Sequence, residues 1–139
     1  MKKLASFFST IVVLCAILTV CASARASDQI DGGWAAAQAA SNGQVAVEFQ
    51  VNGTGKMSKI GANLIILYEK STSGWIPVER ITSSDVSSLF TTSAYSYCNT
   101  QYFNGTLGKQ YYAKVTVFAT DSTGTDYKTY TTNTIVAKR

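Results

Sequence analysis

Gln110-Tyr111-Tyr112-Ala113-Lys114-Val115-Thr116-Val117-Phe118-Ala119-Thr120 alternates without a break. Tyr111, Ala113, Val115, Val117 and Ala119 fall on one side; Tyr112, Lys114, Thr116, Phe118 and Thr120 fall on the other. A period of two belongs to a strand with one buried face, because successive side chains point to opposite sides of a sheet. The same period recurs upstream, where Val45, Val47, Phe49 and Val51 alternate with Gln44, Ala46, Glu48 and Gln50.

Between and beyond these stretches the chain offers short strands and turn residues. Asn52-Gly53-Thr54-Gly55 carries turn chemistry. Ile60 to Tyr68 is apolar on both faces through Leu64-Ile65-Ile66-Leu67, which predicts a central strand. Trp75 to Thr82 predicts another, with Pro77 placing it at an edge or a bulge. Ser83 to Ser88 reads as a loop or a one-turn crossover, after which Leu89-Phe90 covers one end of the core. Ala94 to Phe103 predicts a strand with Tyr95, Tyr97, Asn99 and Gln101 on one side, and Asn104-Gly105 turns the chain. After a hairpin loop at Asp121 to Asp126, Lys128 to Ala137 closes the domain. The expected core is Val45, Val47, Phe49, Leu64, Ile66, Tyr111, Ala113, Val115 and Val117. No long amphipathic helix is evident. The expectation is an all-β, antiparallel immunoglobulin-like or fibronectin-like β-sandwich of six to seven strands over residues 43–139, with a small barrel as the alternative.

Residues 27–42 read as an N-terminal arm. Asp31-Gly32-Gly33 breaks structure, and the alanines of 34–40 favour one or two helical turns, with Trp34 as the docking residue. Ahead of the arm, residues 1–26 have the layout of a secretory signal peptide. Lys2-Lys3 is basic, Leu4 to Ala24 is uncharged, and Ala22-Ser23-Ala24-Arg25-Ala26 supplies the small residues of a cleavage site. Cleavage is expected after Ala26, or after Ala24. The implied location is secreted and extracellular, and membrane contact is expected only through this segment before cleavage. Two alternatives keep the chain on a membrane: an uncleaved signal, and acylation of Cys21, since Leu18-Thr19-Val20-Cys21 resembles a bacterial lipobox although Val20 is larger than that motif prefers.

Loss of the signal changes the electrostatics. The whole chain has 12 Lys and Arg against 8 Asp and Glu. Lys2, Lys3 and Arg25 leave with the signal, so nine cations face eight anions and the net charge falls to +1. No basic stripe remains for phosphates, and nucleic acid is not an expected partner. Cys98 is the one cysteine left after cleavage, and it is expected to be a small buried hydrophobe.

The sequence contains no histidine. That removes Ser-His-Asp and Cys-His catalysis and the common histidine-based zinc sites. A lone thiol makes neither a redox pair nor a thiolate zinc site. Glu48, Glu69 and Glu79 are the carboxylates that a small hydrolase would draw on. Asp121 and Asp126 are the acids that calcium would draw on, although two acids in a polar turn are ordinarily a loop. The expected site therefore has no catalytic residue, no metal and no cofactor. The aromatic residues are the remaining lead. Tyr95, Tyr97, Tyr112 and Tyr130 are the candidate binding face, since exposed Tyr offers large contact area at low entropic cost; the alternative is that the tyrosines fill cross-strand pairs over the core.

Two resemblances add to this reading. Leu107-Gly108-Lys109-Gln110-Tyr111-Tyr112-Ala113-Lys114-Val115 resembles the entry to strand F of fibronectin type III domains. That likeness makes Tyr111 a tyrosine corner, with its hydroxyl bonded to backbone upstream; the proline usual in that turn is missing. More broadly, the signal, Gly53-Thr54-Gly55-Lys56-Met57, Lys59-Ile60-Gly61-Ala62, Ser73-Gly74-Trp75 and the 111–117 strand resemble small uncharacterised secreted β-sandwich proteins of Gram-positive bacteria. This second likeness implies a fold and a location and no activity. Taken together, the expectation is a non-enzymatic binding or adhesion module for an extracellular protein or glycan. The alternatives are a structural protein that self-associates through a strand edge, and a small hydrolase.

Overall fold

The computed structural model describes residues 28–139. The expected signal peptide, its cleavage site, Cys15 and Cys21 lie outside the described residues. Among those described, every long element is a strand: β1 Ile30–Ala39, β2 Gln44–Ser71, β3 Gly74–Thr82, β4 Phe90–Asn104, β5 Gln110–Thr120, β6 Thr125–Thr131 and the two-residue β7 Ile135–Val136. Short 3-10 turns at Ser41–Gly43 and Ser87–Leu89 connect them. All seven strands belong to one antiparallel sheet that curls into a half-barrel.

The 28 residues of β2 organise that sheet. Its first half pairs with β1 on one side and β4 on the other, through Phe49↔Ala35 and Phe49↔Asn99. Its second half pairs with β5 and β3, through Ile65↔Val115 and Ile65↔Ile81. The turn expected at Asn52–Gly55 is a bulge in a continuous strand. Against β4, Asn52 pairs with Ser96 and Met57 with Ala94, so four residues of β2 oppose the single Tyr95. A bulge bends a strand without reversing it, and here it turns Met57 into the core.

Val45, Val47, Phe49 and Val51 from the first half meet Ile60, Ile65 and Leu67 from the second, with Tyr111, Ala113, Val115 and Val117 of β5 between them. All of these are buried. Leu64 and Ile66, expected in the core, are half-buried on the outer face. The cause is a second bulge. Ala62 pairs with Val117 but Leu64 with Thr116, which leaves Asn63 as an extra residue. One added residue exchanges the faces of everything after it, so Ile65 and Leu67 turn inward. The Asn63 carbonyl, freed from the ladder, accepts from the Ser83 N–H at 3.1 Å.

Residues 30–39 are a strand, not the helical turns expected from the alanines. Pairing along β2 from Ala39↔Val45 to Gly32↔Asn52 overrides local propensity. The small residues have a packing reason: Ala37 is buried, and the Tyr130 ring lies over Gly33, where an added Cβ would come within 3.2 Å of it. Side chains, not ladder bonds, close the gap between β1 and the far end of the sheet. The Asn133 amide donates to the Ala37 carbonyl and accepts from the Ala37 N–H, each at 2.9 Å. Gln29, also buried, donates its backbone N–H to Asp126 and its side-chain amide to Asp121 and Thr123.

Candidate functional site

The inner face is filled by packing, so the outer face and the strand edges are left for contact with other molecules. On the outer face, the pairing of β2 with β5 sets Tyr68 directly across from Tyr112. Their rings stack with centroids 4.9 Å apart and planes 5° from parallel. Trp75, near the start of β3, meets Tyr112 edge-on at 4.7 Å. Such pairs add about 0.5–1.5 kcal/mol beyond area burial, which holds this cluster as one unit. Lys114 lies over the Tyr68 ring at 5.6 Å and Lys70 over Trp75 at 5.3 Å. Both ammonium groups are drawn to the negative ring faces.

A shallow open groove of about 360 Å³ adjoins this cluster, in the size range of small-ligand sites. Ile66, Tyr68, Pro77, Val78, Glu79 and Arg80 line it. The groove exists because β3 is bulged: Leu67 pairs with Glu79 and Tyr68 with Pro77, leaving Val78 as the extra residue. The edge or bulge expected at Pro77 is present in both respects, since β3 pairs with β2 alone. Apolar walls with a carboxylate and a guanidinium at the rim can stack a ring and hydrogen-bond its substituents.

The four sequence-selected tyrosines do not form one face. Tyr112 belongs to the cluster just described. Tyr95 is exposed, at the bulge where β4 crosses Gly53–Lys56. Tyr97 and Tyr130 point inward and pack against the core. Tyr97 lies 6.3 Å from the Phe49 ring and donates its hydroxyl to the Ser88 carbonyl at 2.6 Å. The Tyr130 hydroxyl is buried without a hydrogen-bond partner among the described residues. Tyr68 and Trp75 escaped the sequence reading because only the strand pairing brings them to Tyr112.

The carboxylates serve as acceptors within the fold. Tyr111, buried in the core, donates its hydroxyl to Glu69 at 2.6 Å and accepts the Thr106 N–H at 2.8 Å. The upstream backbone bond expected of Tyr111 is therefore present. That hydroxyl is the main reason the Glu69 carboxyl sits below its ordinary range; desolvation opposes it, and Lys109 at 3.3 Å pulls in the same direction as the hydroxyl. One oxygen of Asp121 accepts from the Thr123 hydroxyl and N–H, the Gly124 N–H and Gln29. These bonds, led by the Thr123 hydroxyl, keep Asp121 ionised below its usual range. No group of three or more acidic or thiol side chains suited to a metal occurs among the described residues. Glu48 lies on the first half of β2, Glu69 near the end of its second half, and Glu79 on the neighbouring β3. Cys98 is exposed, contrary to the expectation of burial. It stands opposite Gln50, whose neighbours Phe49 and Val51 take the inner positions.

No helix among the described residues is long and apolar enough to cross a membrane. No family model matches the sequence, and no curated protein matches it.

Proposed function

We propose that this chain is a secreted, non-catalytic binding module that takes an extracellular glycan or protein on the outer face formed by β2, β3 and β5. The observation that carries the reading is the aromatic cluster of Tyr68, Tyr112 and Trp75 beside the groove at Pro77–Arg80. Side chains of this type dominate binding energy where they can be desolvated. A glycan fits better than a flat protein surface. The groove is small, its walls are apolar, and Glu79 and Arg80 stand where sugar hydroxyls need partners. Lys70, Lys114 and Arg80 outnumber the one carboxylate at the rim, which favours an acidic sugar. Two supports for the wider reading come from the sequence: the N-terminal layout of a cleaved signal, and the likeness to secreted proteins of Gram-positive bacteria. The bent β2 carries core residues on two facing halves, as a sandwich does when one strand passes between its layers. This, with the Tyr111 corner, supports an immunoglobulin-like or fibronectin-like subtype.

The test is affinity electrophoresis of the exported protein through gels containing neutral or acidic polysaccharides. Retardation is expected, strongest with an acidic polymer. Tyr112→Ala and Trp75→Ala should each weaken it about tenfold or more, since losing a central aromatic anchor costs ~2 kcal/mol. Tyr127→Ala, at an exposed tyrosine on β6, should leave it unchanged. Equal retardation of all variants would remove the cluster from the site. Polysaccharide cleavage that disappears in Glu79→Gln would replace the binding reading with the hydrolase one.

A further inference from the structure

The edges of this sheet are not treated alike. The outer edge of β3 is interrupted by Pro77, which has no N–H, by the extra residue Val78, and by the charges of Glu79 and Arg80. These are the devices that keep an edge from pairing with another chain. The edge of β1 is taken up by Asn133, and Gln29 ties the start of the strand to the β5–β6 loop. β4 has no such protection. It pairs with β2 alone, and no side chain bonds to its backbone among the described residues. Its 15 residues, FTTSAYSYCNTQYFN, include no charge, no proline and no glycine. From Ser96 to Asn104 it runs against Gln44–Asn52 with no irregularity. A row of alternate N–H and C=O groups is thus left unpaired along a straight segment about 30 Å long.

We infer that the β4 edge is an interaction surface for a second copy of this chain, pairing antiparallel about a two-fold axis that passes within Ser96–Asn104. An antiparallel strand is complementary to itself, because rotation by 180° returns its donors opposite its acceptors. Neutrality matters as much. An edge built for a basic or acidic peptide would carry the opposite charge, whereas a chain meeting itself must avoid setting like charges side by side. The side chains on the exposed outer side, Ser96, Cys98 and Tyr102, are uncharged and able to meet their own kind. On the inner side, Tyr97, Asn99 and Gln101 already form a hydrogen-bonded row at 3.3 and 2.6 Å. That row holds their side chains in place before association and lowers the entropy lost on pairing. The result is a single sheet continuous across two copies, independent of the groove on the other half of β2.

Sedimentation of the exported protein over a range of concentrations tests this, with reductant present so that Cys98 cannot cross-link. A monomer–dimer equilibrium is expected. Ser96→Lys together with Tyr102→Lys should weaken it about tenfold or more, the factor that corresponds to ~1.4 kcal/mol. Melting temperature serves as the check that both exposed substitutions leave the fold intact. Tyr127→Lys changes an equally exposed tyrosine on β6 and should have no effect. The Cys98 backbones of the dimer, read through spin labels on their thiols, should lie within about 40 Å of each other for any axis in this segment, and about 15 Å for an axis at Thr100. A monomer at all concentrations overturns the proposal. So does association that Tyr127→Lys weakens as much, a label separation well beyond this range, a dimer that exists only as a Cys98 disulfide, or an edge that pairs only with a foreign peptide. Failure here leaves glycan retardation untouched, so the two readings stand or fall separately.

Discussion

Replacing Ile65 and Ile66 with alanine, one at a time, probes the bulge that decides which half of the second β2 segment is core. The two residues are adjacent and identical, so composition and intrinsic propensity cancel. Ile65 is fully buried, opposite Val115 of β5 and Ile81 of β3. Truncation removes three carbons, worth roughly 0.8 kcal/mol each in transfer from water. The strands packed around the site cannot collapse fully, and the remaining cavity raises the loss to about 3–4 kcal/mol. Ile66 is half-buried on the outer face, between Lys114 and Arg80. Its truncation exposes no core and should cost about 1 kcal/mol or less. Urea unfolding followed by tryptophan fluorescence measures both, with an unchanged slope confirming comparable end states. Equal costs, or a larger cost at Ile66, would mean that Asn63 is not an inserted residue and that the unbroken period of two runs through the strand.

Two further outcomes follow from the hydrogen bonds. Tyr111→Phe keeps the buried ring but removes the hydroxyl that joins Thr106 to Glu69, and should cost about 1–3 kcal/mol; a loss under ~0.5 kcal/mol in urea unfolding would make the corner ornamental. Acid should destabilise the fold. Glu69, Asp85 and Asp121 all titrate below their ordinary values, 4.5 for Glu69 and 3.8 for the two aspartates, in each case led by a hydroxyl donor. A depressed folded-state pKa contributes stability that is present above the unfolded value and lost as pH falls through the folded one. The melting temperature should therefore hold near neutrality and fall below about pH 4.5. Asp121→Asn should lower stability at neutral pH and reduce the further loss in acid, and a melting temperature that rises on acidification would reverse the sign of the argument.

Much of the fold is legible in residue periodicity, and the failures share a cause. Strands that keep one phase, 45–51 and 111–119, have their core faces read correctly, because alternation records burial; Phe118 is the exception, buried on the opposite side beside Phe90 and Tyr127. Phase is lost where a bulge inserts a residue. Asn63 carries no signal of that kind, so its effect on Leu64 to Leu67 emerges only from pairing with β5. Asn52-Gly53-Thr54-Gly55 does carry a signal, but the same residues serve a reversal and a bulge. Here Gly53 is needed because a Cβ would come within 2.7 Å of Met57. The alanines of β1 mislead in a different way. Small side chains favour a helix in isolation, yet against Phe49 and beneath Tyr130 they are what lets a strand approach closely. The Tyr111 bond, by contrast, was visible because a local motif encodes both partners. The outer cluster was not, because its three rings come from three strands and the sequence does not contain the register that joins them.

The bend in β2 would also let the two proposed contact surfaces share so small a domain. Packing consumes the inner face of both halves, where Val45, Val47, Phe49, Val51, Ile60, Ile65 and Leu67 are all fully buried. Interaction must then use what packing leaves, namely outer side chains and unpaired backbone. The first half of β2 leaves an edge, because β4 has no neighbour beyond it. The second half leaves a face, because β3 and β5 flank the strand and bring aromatic rings together across it. These resources differ in specificity. Backbone pairing at an edge accepts any compatible strand and is governed by charge and register, while the groove would select by shape and by the rim groups Glu79 and Arg80. A shallow groove binds a single sugar unit weakly, since little surface is removed from water. Two copies joined through β4 would carry two grooves on one continuous sheet, and the second contact with a polymer would become intramolecular. Effective concentrations of about millimolar are typical when such a link spans the sites. Weak recognition by each groove would then suffice for a module whose target is a repeating extracellular polymer.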